Sequence, residues 1–256
     1  REMTIWIGSD WHLIDYTAKT DTYSVSPNAN KILAKYQNYV GPSDLFIFLG
    51  DLCCKGFSDE AKLINMMEGL RGYKVMVKGN HDTMDNSSYY KAGFDIVTDA
   101  ASFGKKILLT HKPVIIPKNM DIINIHGHLH DKKFSRFDNK HINPYGYCHG
   151  SIVEFRTLMA AASQMPTIDD AMINICPNKE EMIHISDIPK ESIFDLTELV
   201  MNGPDGHPMD ESQSKLQLNR EIEILNDLVF GFDDVKLASM LGREDGKPNN
   251  DSVLEP

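Results

Sequence analysis

Five short runs of β-forming, mostly apolar residues punctuate the first half of this 256-residue chain, and helix-like segments separate the first three. The runs are Thr4 to Ile7, Asp44 to Leu49, Tyr73 to Val77, Lys106 to Thr110 and Asp121 to Ile125. The second is nearly all apolar, the mark of a strand covered on both faces. Between them, Asn28 to Val40 sets Ile32, Leu33, Tyr36 and Val40 on one helical face, with Pro27 near its start and Gly41-Pro42 ending it. Ser58 to Leu70 is a second amphipathic helix, with Ser58 as its N-cap and Gly72 beyond its end. Strands alternating with helices predict a layered, largely parallel α/β sheet.

Each run ends in a small polar cluster. In chain order these are Asp10-Trp11-His12, Gly50-Asp51, Gly79-Asn80-His81-Asp82, Thr110-His111 and Gly127-His128-Leu129-His130. Ligands of open α/β sheets gather beyond the carboxyl ends of the strands, so five segments distant in sequence can converge on one point. Carboxylate, imidazole and amide oxygen suit Mn, Fe or Zn, and no soft sulfur ligand is implied. Taken singly the clusters are weak signals, because Gly-Asp is a common turn and Asn and Asp tolerate left-handed backbone. Their joint occurrence after buried strands is what carries the expectation of a site.

Net charge is −11 and unevenly spread. Residues 155–256 hold 8 Lys/Arg against 20 Asp/Glu, whereas the preceding residues hold 18 against 17. A long nucleic acid asks for a basic footprint, so a small phosphorylated substrate is favoured over a polynucleotide. No apolar run approaches the roughly 18 residues of a membrane span, and the first residues lack the layout of a secretory signal. Cys53, Cys54, Cys148 and Cys176 form no CxxC pair, so neither a disulfide framework nor a thiolate zinc site is suggested. A cytoplasmic setting is expected.

The ordered series Asp-x-His, Gly-Asp, Gly-Asn-His-Asp, His, Gly-His-x-His resembles the calcineurin-like metallophosphoesterase superfamily. The resemblance covers residues 3 to about 155 and is nearest in spacing to small bacterial and phage-type members. It implies a four-layer α/β/β/α sandwich with metals at the ends of the central strands, here followed by a helical, acidic extension. It implies two divalent transition-metal ions, manganese first, with Fe, Zn, Ni or Co as alternatives. Asp10, His12 and His130 would hold one ion, Asn80, His111 and His128 the other, and Asp51 would bridge them. A metal-bridging hydroxide would attack phosphorus, with His81 as general acid and Asp82 orienting its ring.

Phosphoprotein phosphatases of the superfamily extend the second block as Gly-Asp-x-Val-Asp-Arg-Gly. Here it reads Gly50-Asp51-Leu52-Cys53-Cys54-Lys55-Gly56, without the arginine that would grip phosphate bidentately. A small-molecule phosphodiesterase is the expected activity; a phosphomonoesterase or nucleotide pyrophosphohydrolase, and an inactive scaffold, are the alternatives. His126 is read as strand packing, and Cys53 and Cys54 as small apolar residues. Lys112, His141 and His149 are weaker candidates for substrate contact, and His184 and His207 have no ligand spacing. Three units are expected: a core over 1–157, a helical extension over 158–242 with helices at 191–202, 213–230 and 233–242, and a disordered tail over 243–256. Oligomeric state is left open.

Overall fold

A computed structural model of the chain describes residues 3–117, 120–130, 140–148, 150–163 and 181–202. The first part runs β1 (Ile5–Gly8), β2 (Ile14–Thr17), β3 (Thr22–Val25), α1 (Ala29–Tyr39), β4 (Leu45–Phe48), α2 (Glu60–Met67), β5 (Tyr73–Val77), α3 (Asn86–Lys91) and β6 (Ile96–Thr98). There follow β7 (Ala100–Phe103), β8 (Ile107–Thr110), β9 (Val114–Ile115), β10 (Ile123–His126) and β11 (His141–Ile142). The last elements are α4 (Tyr145–Cys148), β12 (Val153–Glu154), α5 (Phe155–Ser163), β13 (Ile183–His184), β14 (Ile193–Asp195) and α6 (Thr197–Asn202).

Two five-stranded sheets form the centre, ordered β12-β1-β4-β5-β6 and β11-β10-β8-β7-β14. In the first, β1, β4, β5 and β6 are parallel, in the register Ile7↔Ile47↔Val75. In the second, β8, β10 and β11 are parallel and β7 is antiparallel to β8. Alternation along the strands divides the apolar side chains between two cores. Ile5, Ile7, Leu45, Ile47, Val75 and Val77 meet Ala101, Ile107, Leu109, Ile123 and Ile125 between the sheets. Phe46, Phe48 and Met76 point the other way, onto Ile32 and Tyr36 of α1, Leu63 and Met67 of α2 and Tyr89 of α3. Each aliphatic side chain so buried contributes about 1.5–3 kcal/mol. The fold is thus mixed α/β, as the strand–helix alternation predicts, and its two sheets agree with the sandwich that the resemblance implies.

Asp44 fixes the start of the first sheet. Its carboxylate accepts from the backbone N–H groups of Thr4 (3.0 Å) and Gly41 (2.8 Å) and from the Trp6 indole (3.3 Å). One buried acid therefore sets the β1–β4 register and ends the link from α1. The parallel direction then delivers the carboxyl ends of β1, β4 and β5 to one side of the molecule.

Two local expectations are corrected. The N-cap of α2 is Asp59, not Ser58: its carboxylate accepts from Lys62 N at 3.0 Å. Both residues suit the position, but an ionised acceptor complements the helix N-terminus better than a hydroxyl. The helix expected over 191–202 begins only at Thr197, because Ile193 to Asp195 pair with Ala100 to Ser102 of β7 instead. Asp195 then turns the chain, accepting from Thr197 N (3.0 Å) and Gly104 N (3.2 Å). The boundary expected at 157 falls inside α5, and Leu196 and Val200 reach back into the inter-sheet core. The helices expected at 213–230 and 233–242, the tail, Cys176, His149 and His207 lie outside the described residues. Among the described residues no helix is long and apolar enough to cross a membrane.

Candidate metal centre

The β1–β4 ladder does not stop where the strands do. Asp10 N, His12 N and Leu13 N bond to the carbonyls of Gly50, Asp51 and Leu52 at 2.9, 3.1 and 2.8 Å, so the first two clusters leave the sheet side by side. Trp11, between Asp10 and His12, points into the outer core, stacks on Phe46 at 5.2 Å and donates its indole N–H to Ser151 O at 3.0 Å. An anchored indole in the middle of the cluster turns its two flanking side chains the opposite way.

Backbone strain concentrates here. Asp10, His12, Asp51, His128 and His130 have φ of 54°, 41°, 60°, 71° and 48°. Among the described non-glycine residues only Asp21 shares that sign. Left-handed backbone at five candidate ligands is a cost that the surroundings must hold in place. Gly127 shows how tight the fit is: a Cβ there would lie 2.7 Å from Asp10 Oδ2.

The structure brings Asp10, His12, Asp51, Asn80, His111, His128 and His130 together. One group is Asp10, His12 and His130, with the two imidazole Nε2 atoms 3.3 Å apart and His130 Nε2 3.4 Å from Asp10 Oδ1. Another is Asp51, His111 and His128, with His111 Nε2 3.3 Å from Asp51 Oδ2 and 3.2 Å from His128 Nδ1. Asn80 Oδ1 lies 3.0 Å from the same His111 Nε2. Asp51 also sits 3.9 Å from His12 Nε2, between the two groups.

A cation fits this donor set. The Leu49 carbonyl can only accept, so the His111 nitrogen 2.8 Å from it, Nδ1, carries the proton. In the neutral ring Nε2 then presents a lone pair, and it faces a carboxylate oxygen, an amide oxygen and a second imidazole. Such a convergence of acceptors is favourable only around a positive charge. Burial alone would lower the His111 pKa, but the hydrogen bond and charge of Asp51 raise it above its ordinary value.

The other groups stand ready as ligands. Burial, helped by neighbouring imidazoles, lowers His12 and His128 to about 4, so both rings are neutral at pH 7. Burial works against ionisation of Asp51, yet His111 and the backbone N–H of His81 outweigh it and bring its pKa down to about 2. Asp10, wholly buried, is raised by burial despite His111 and His130. Its carboxylate accepts the His128 N–H at 3.0 and 3.1 Å.

His81 and Asp82 do not interact as expected. Asp82 spends its carboxylate on three backbone N–H groups, those of Asp51 (2.7 Å), Gly79 (2.8 Å) and Leu52 (3.0 Å). It ties the Gly79–Asp82 turn to the segment after β4, and it is a positioning residue for Asp51 rather than a partner of the His81 ring. The His81 Nδ1 has no hydrogen-bond partner. Its Nε2 is 4.0 Å from Asp51 Oδ2, and its ring lies 5.2 Å from that of His12. His81 falls within a third close group, with His12 and Asp51.

The loop after β11 contributes residues that no sequence pattern singles out. Asn143, fully buried, donates to the His130 carbonyl at 3.3 Å and accepts from Tyr145 N at 2.9 Å. The Tyr145 ring lies 5.0 Å from the His130 ring. His141 turns away to the Val114 carbonyl, its Nε2 2.7 Å from the oxygen. His126 is wholly buried in β10 beside the Gly127 carbonyl. Burial raises the thiol pKa of both Cys53 and Cys54, consistent with their reading as small apolar residues.

Carboxylates and imidazoles gathered at strand ends of a two-sheet α/β fold make a candidate metal centre. The profile of the calcineurin-like phosphoesterases matches residues 3–158, and the chain belongs to that family. No curated protein matches it. It is similar to a crystal structure of a protein of unknown function from Aquifex aeolicus, at 22% identity and a TM-score of 0.46 over 61% of this chain and 98% of that one. It is also similar to a nuclease, MPE, of Pseudomonas putida, at 20% identity and a TM-score of 0.35 over 49% of this chain and 61% of that one.

Proposed function

We propose that the chain hydrolyses a small phosphodiester at a centre of two divalent metal ions. One observation carries this reading: Asp51 lies between two ligand groups, 3.3 Å from His111 and 3.9 Å from His12. Asp10, His12 and His130 would hold one ion and Asn80, His111 and His128 the other. Mixed oxygen and nitrogen donors favour manganese, iron or zinc, with manganese the first choice. Bound cations of this kind polarise phosphoryl oxygens and lower the pKa of water.

The protein's own residues do the rest. Asp82 holds Asp51 by its backbone, and Trp11 holds the Asp10–His12 segment from behind. His81, with its ring partly exposed beside the ligand groups, delivers a proton to the departing oxygen. The acidic balance of the chain beyond residue 154 supports a small substrate over a long nucleic acid. The few thiols match a cytoplasmic setting.

The test is hydrolysis of bis(p-nitrophenyl) phosphate against p-nitrophenyl phosphate, with manganese, with chelator, and with Asp51→Ala protein. Manganese-dependent diester cleavage, lost with chelator and in the variant, is the expected result. Preference for the monoester would move the activity to a phosphomonoesterase, and no turnover by metal-loaded protein would overturn catalysis on such substrates.

A further inference from the structure

β10 carries a buried amide, Asn124, between two isoleucines, and that amide holds the bend on which His111 sits. Ile123 and Ile125 face the inter-sheet core, so alternation turns the fully buried Asn124 to the opposite face of its sheet. Its Oδ1 accepts from Val114 N at 2.9 Å, and its Nδ2 donates to Leu108 O at 3.1 Å and to Thr110 Oγ1 at 2.9 Å. These partners fix which way the amide points, because a backbone N–H can only donate and a carbonyl only accept. The Thr110 hydroxyl passes the series on to Lys112 O at 2.7 Å. One side chain therefore spans both ends of the bend between β8 and β9, and its hydroxyl partner closes the middle. His141, paired with Asn124 across the β10–β11 ladder, takes the other polar group of Val114, its Nε2 2.7 Å from the carbonyl oxygen.

We propose that Asn124, acting with Thr110, is a positioning residue for His111, setting the affinity of the ion held with Asn80 and His128 but not of the ion held by Asp10, His12 and His130. The inference rests on the two-ion reading above. Filling space between isoleucines asks for no amide, and burying one is costly unless its hydrogen bonds are made. Here the three bonds all end on the bend or on the strand that feeds it. What the bend presents leaves little tolerance: His111 Nε2 lies within 3.3 Å of Asn80, His128 and Asp51. The His111 carbonyl also accepts Gly127 N at 2.9 Å, one residue before His128. A bend that rotates would misdirect the His111 lone pair and loosen its neighbour His128 together. Outer partners of metal ligands tune affinity by fixing ring orientation; Asn124 does so at one remove, through the main chain.

The experiment titrates full-length protein with manganese, followed by electron paramagnetic resonance, for wild type, Thr110→Val, Thr110→Ser and Asn124→Leu. Thr110→Val keeps the side-chain shape and deletes only the hydroxyl, so it carries the decision. It should weaken one ion about 10–100-fold while the other keeps its affinity. Thr110→Ser, which restores the hydroxyl, should bind both ions as wild type does. In a His130→Ala background, where the first group is broken, Thr110→Val should impose the same loss on the ion that remains. Asn124→Leu, where it folds, should weaken the same ion at least as much; wild-type affinity there overturns the inference. A merely structural role lowers thermal stability without distinguishing the ions. Equal weakening of both ions in Thr110→Val, no weakening, or a loss that Thr110→Ser shares, therefore overturns the inference as well. If wild type binds fewer than two ions, the two-ion reading fails by itself, and the clamp is then read from His111 in metal-free protein. Its Nδ1 proton, donated to Leu49 O at 2.8 Å, gives a slowly exchanging imidazole signal in proton NMR, assigned by its loss in His111→Gln. Thr110→Val should speed that exchange about tenfold, and Thr110→Ser should not; equal exchange in wild type and Thr110→Val overturns the inference.

Discussion

The carboxylate of Asp82 takes the backbone N–H of Asp51 at 2.7 Å, so the residue placed between the two ligand groups is held by its main chain while its side chain remains available. Asp82 Oδ2 is shared with Gly79 N, and Oδ1 accepts from Leu52 N. Asp82→Asn keeps the shape but replaces one accepting oxygen by a donor, leaving a buried N–H without its partner. The expected cost is about 1–3 kcal/mol of stability, with weaker metal retention. The pH profile of turnover should keep its alkaline limb in place. A shifted limb would mean that Asp82 does support His81.

His81→Ala addresses the proton. If His81 protonates the departing oxygen, turnover of esters with poor leaving groups should fall about 10²–10⁴-fold, and p-nitrophenolate esters, which need little help, should suffer far less. Metal content by elemental analysis should stay at the wild-type value. His81 stands with His12 and Asp51 in a close group, so loss of one metal equivalent would instead make it a ligand.

Asn143→Ala tests support from beyond the ligands. It removes the donor to His130 O and the acceptor for Tyr145 N. Outer partners of metal ligands are typically worth 10–100-fold in metal affinity. Manganese titration followed by electron paramagnetic resonance should show one site weakened by that factor and the other little changed. Equal weakening of both, or of neither, would refute a role confined to His130.

Proton linkage gives the metal-free protein a recognisable acid response. His128 is lowered by burial from 6.5 to about 4. Between those values the unfolded chain binds a proton that the folded chain does not, so the contribution of His128 to stability is present above pH 6.5 and is lost as pH falls toward 4. Thermal unfolding of chelator-treated protein should show wild type losing more stability across that window than His128→Asn. A variant that loses as much as wild type would contradict the assignment.

The five polar clusters were legible because each follows a strand buried on one or both faces, and parallel strands carry their ends to the same side. The role of Asp82 was not, because a carboxylate gathering backbone N–H groups leaves no trace in residue order. Asn143 was hidden likewise: its partner is the main chain of His130, thirteen residues away. The β2–β3 hairpin escaped because its turn lacks a glycine and relies on Asp21 at φ 51°. The strand at Ile193–Asp195 escaped because its own periodicity is short and ambiguous, and the open edge of β7 decides its state.

That last strand has a consequence for how the molecule is made. β7 is complete once residue 103 has been synthesised, but its edge partner begins at Ile193. At about 5–20 residues per second, translation leaves that edge uncovered for roughly 5–20 s. During this interval the nascent chain displays unpaired backbone groups, and the space that Leu196 and Val200 will fill stands open. The half of the protein that carries the candidate ligand groups thus has its β7 edge covered by a segment that takes no part in those groups.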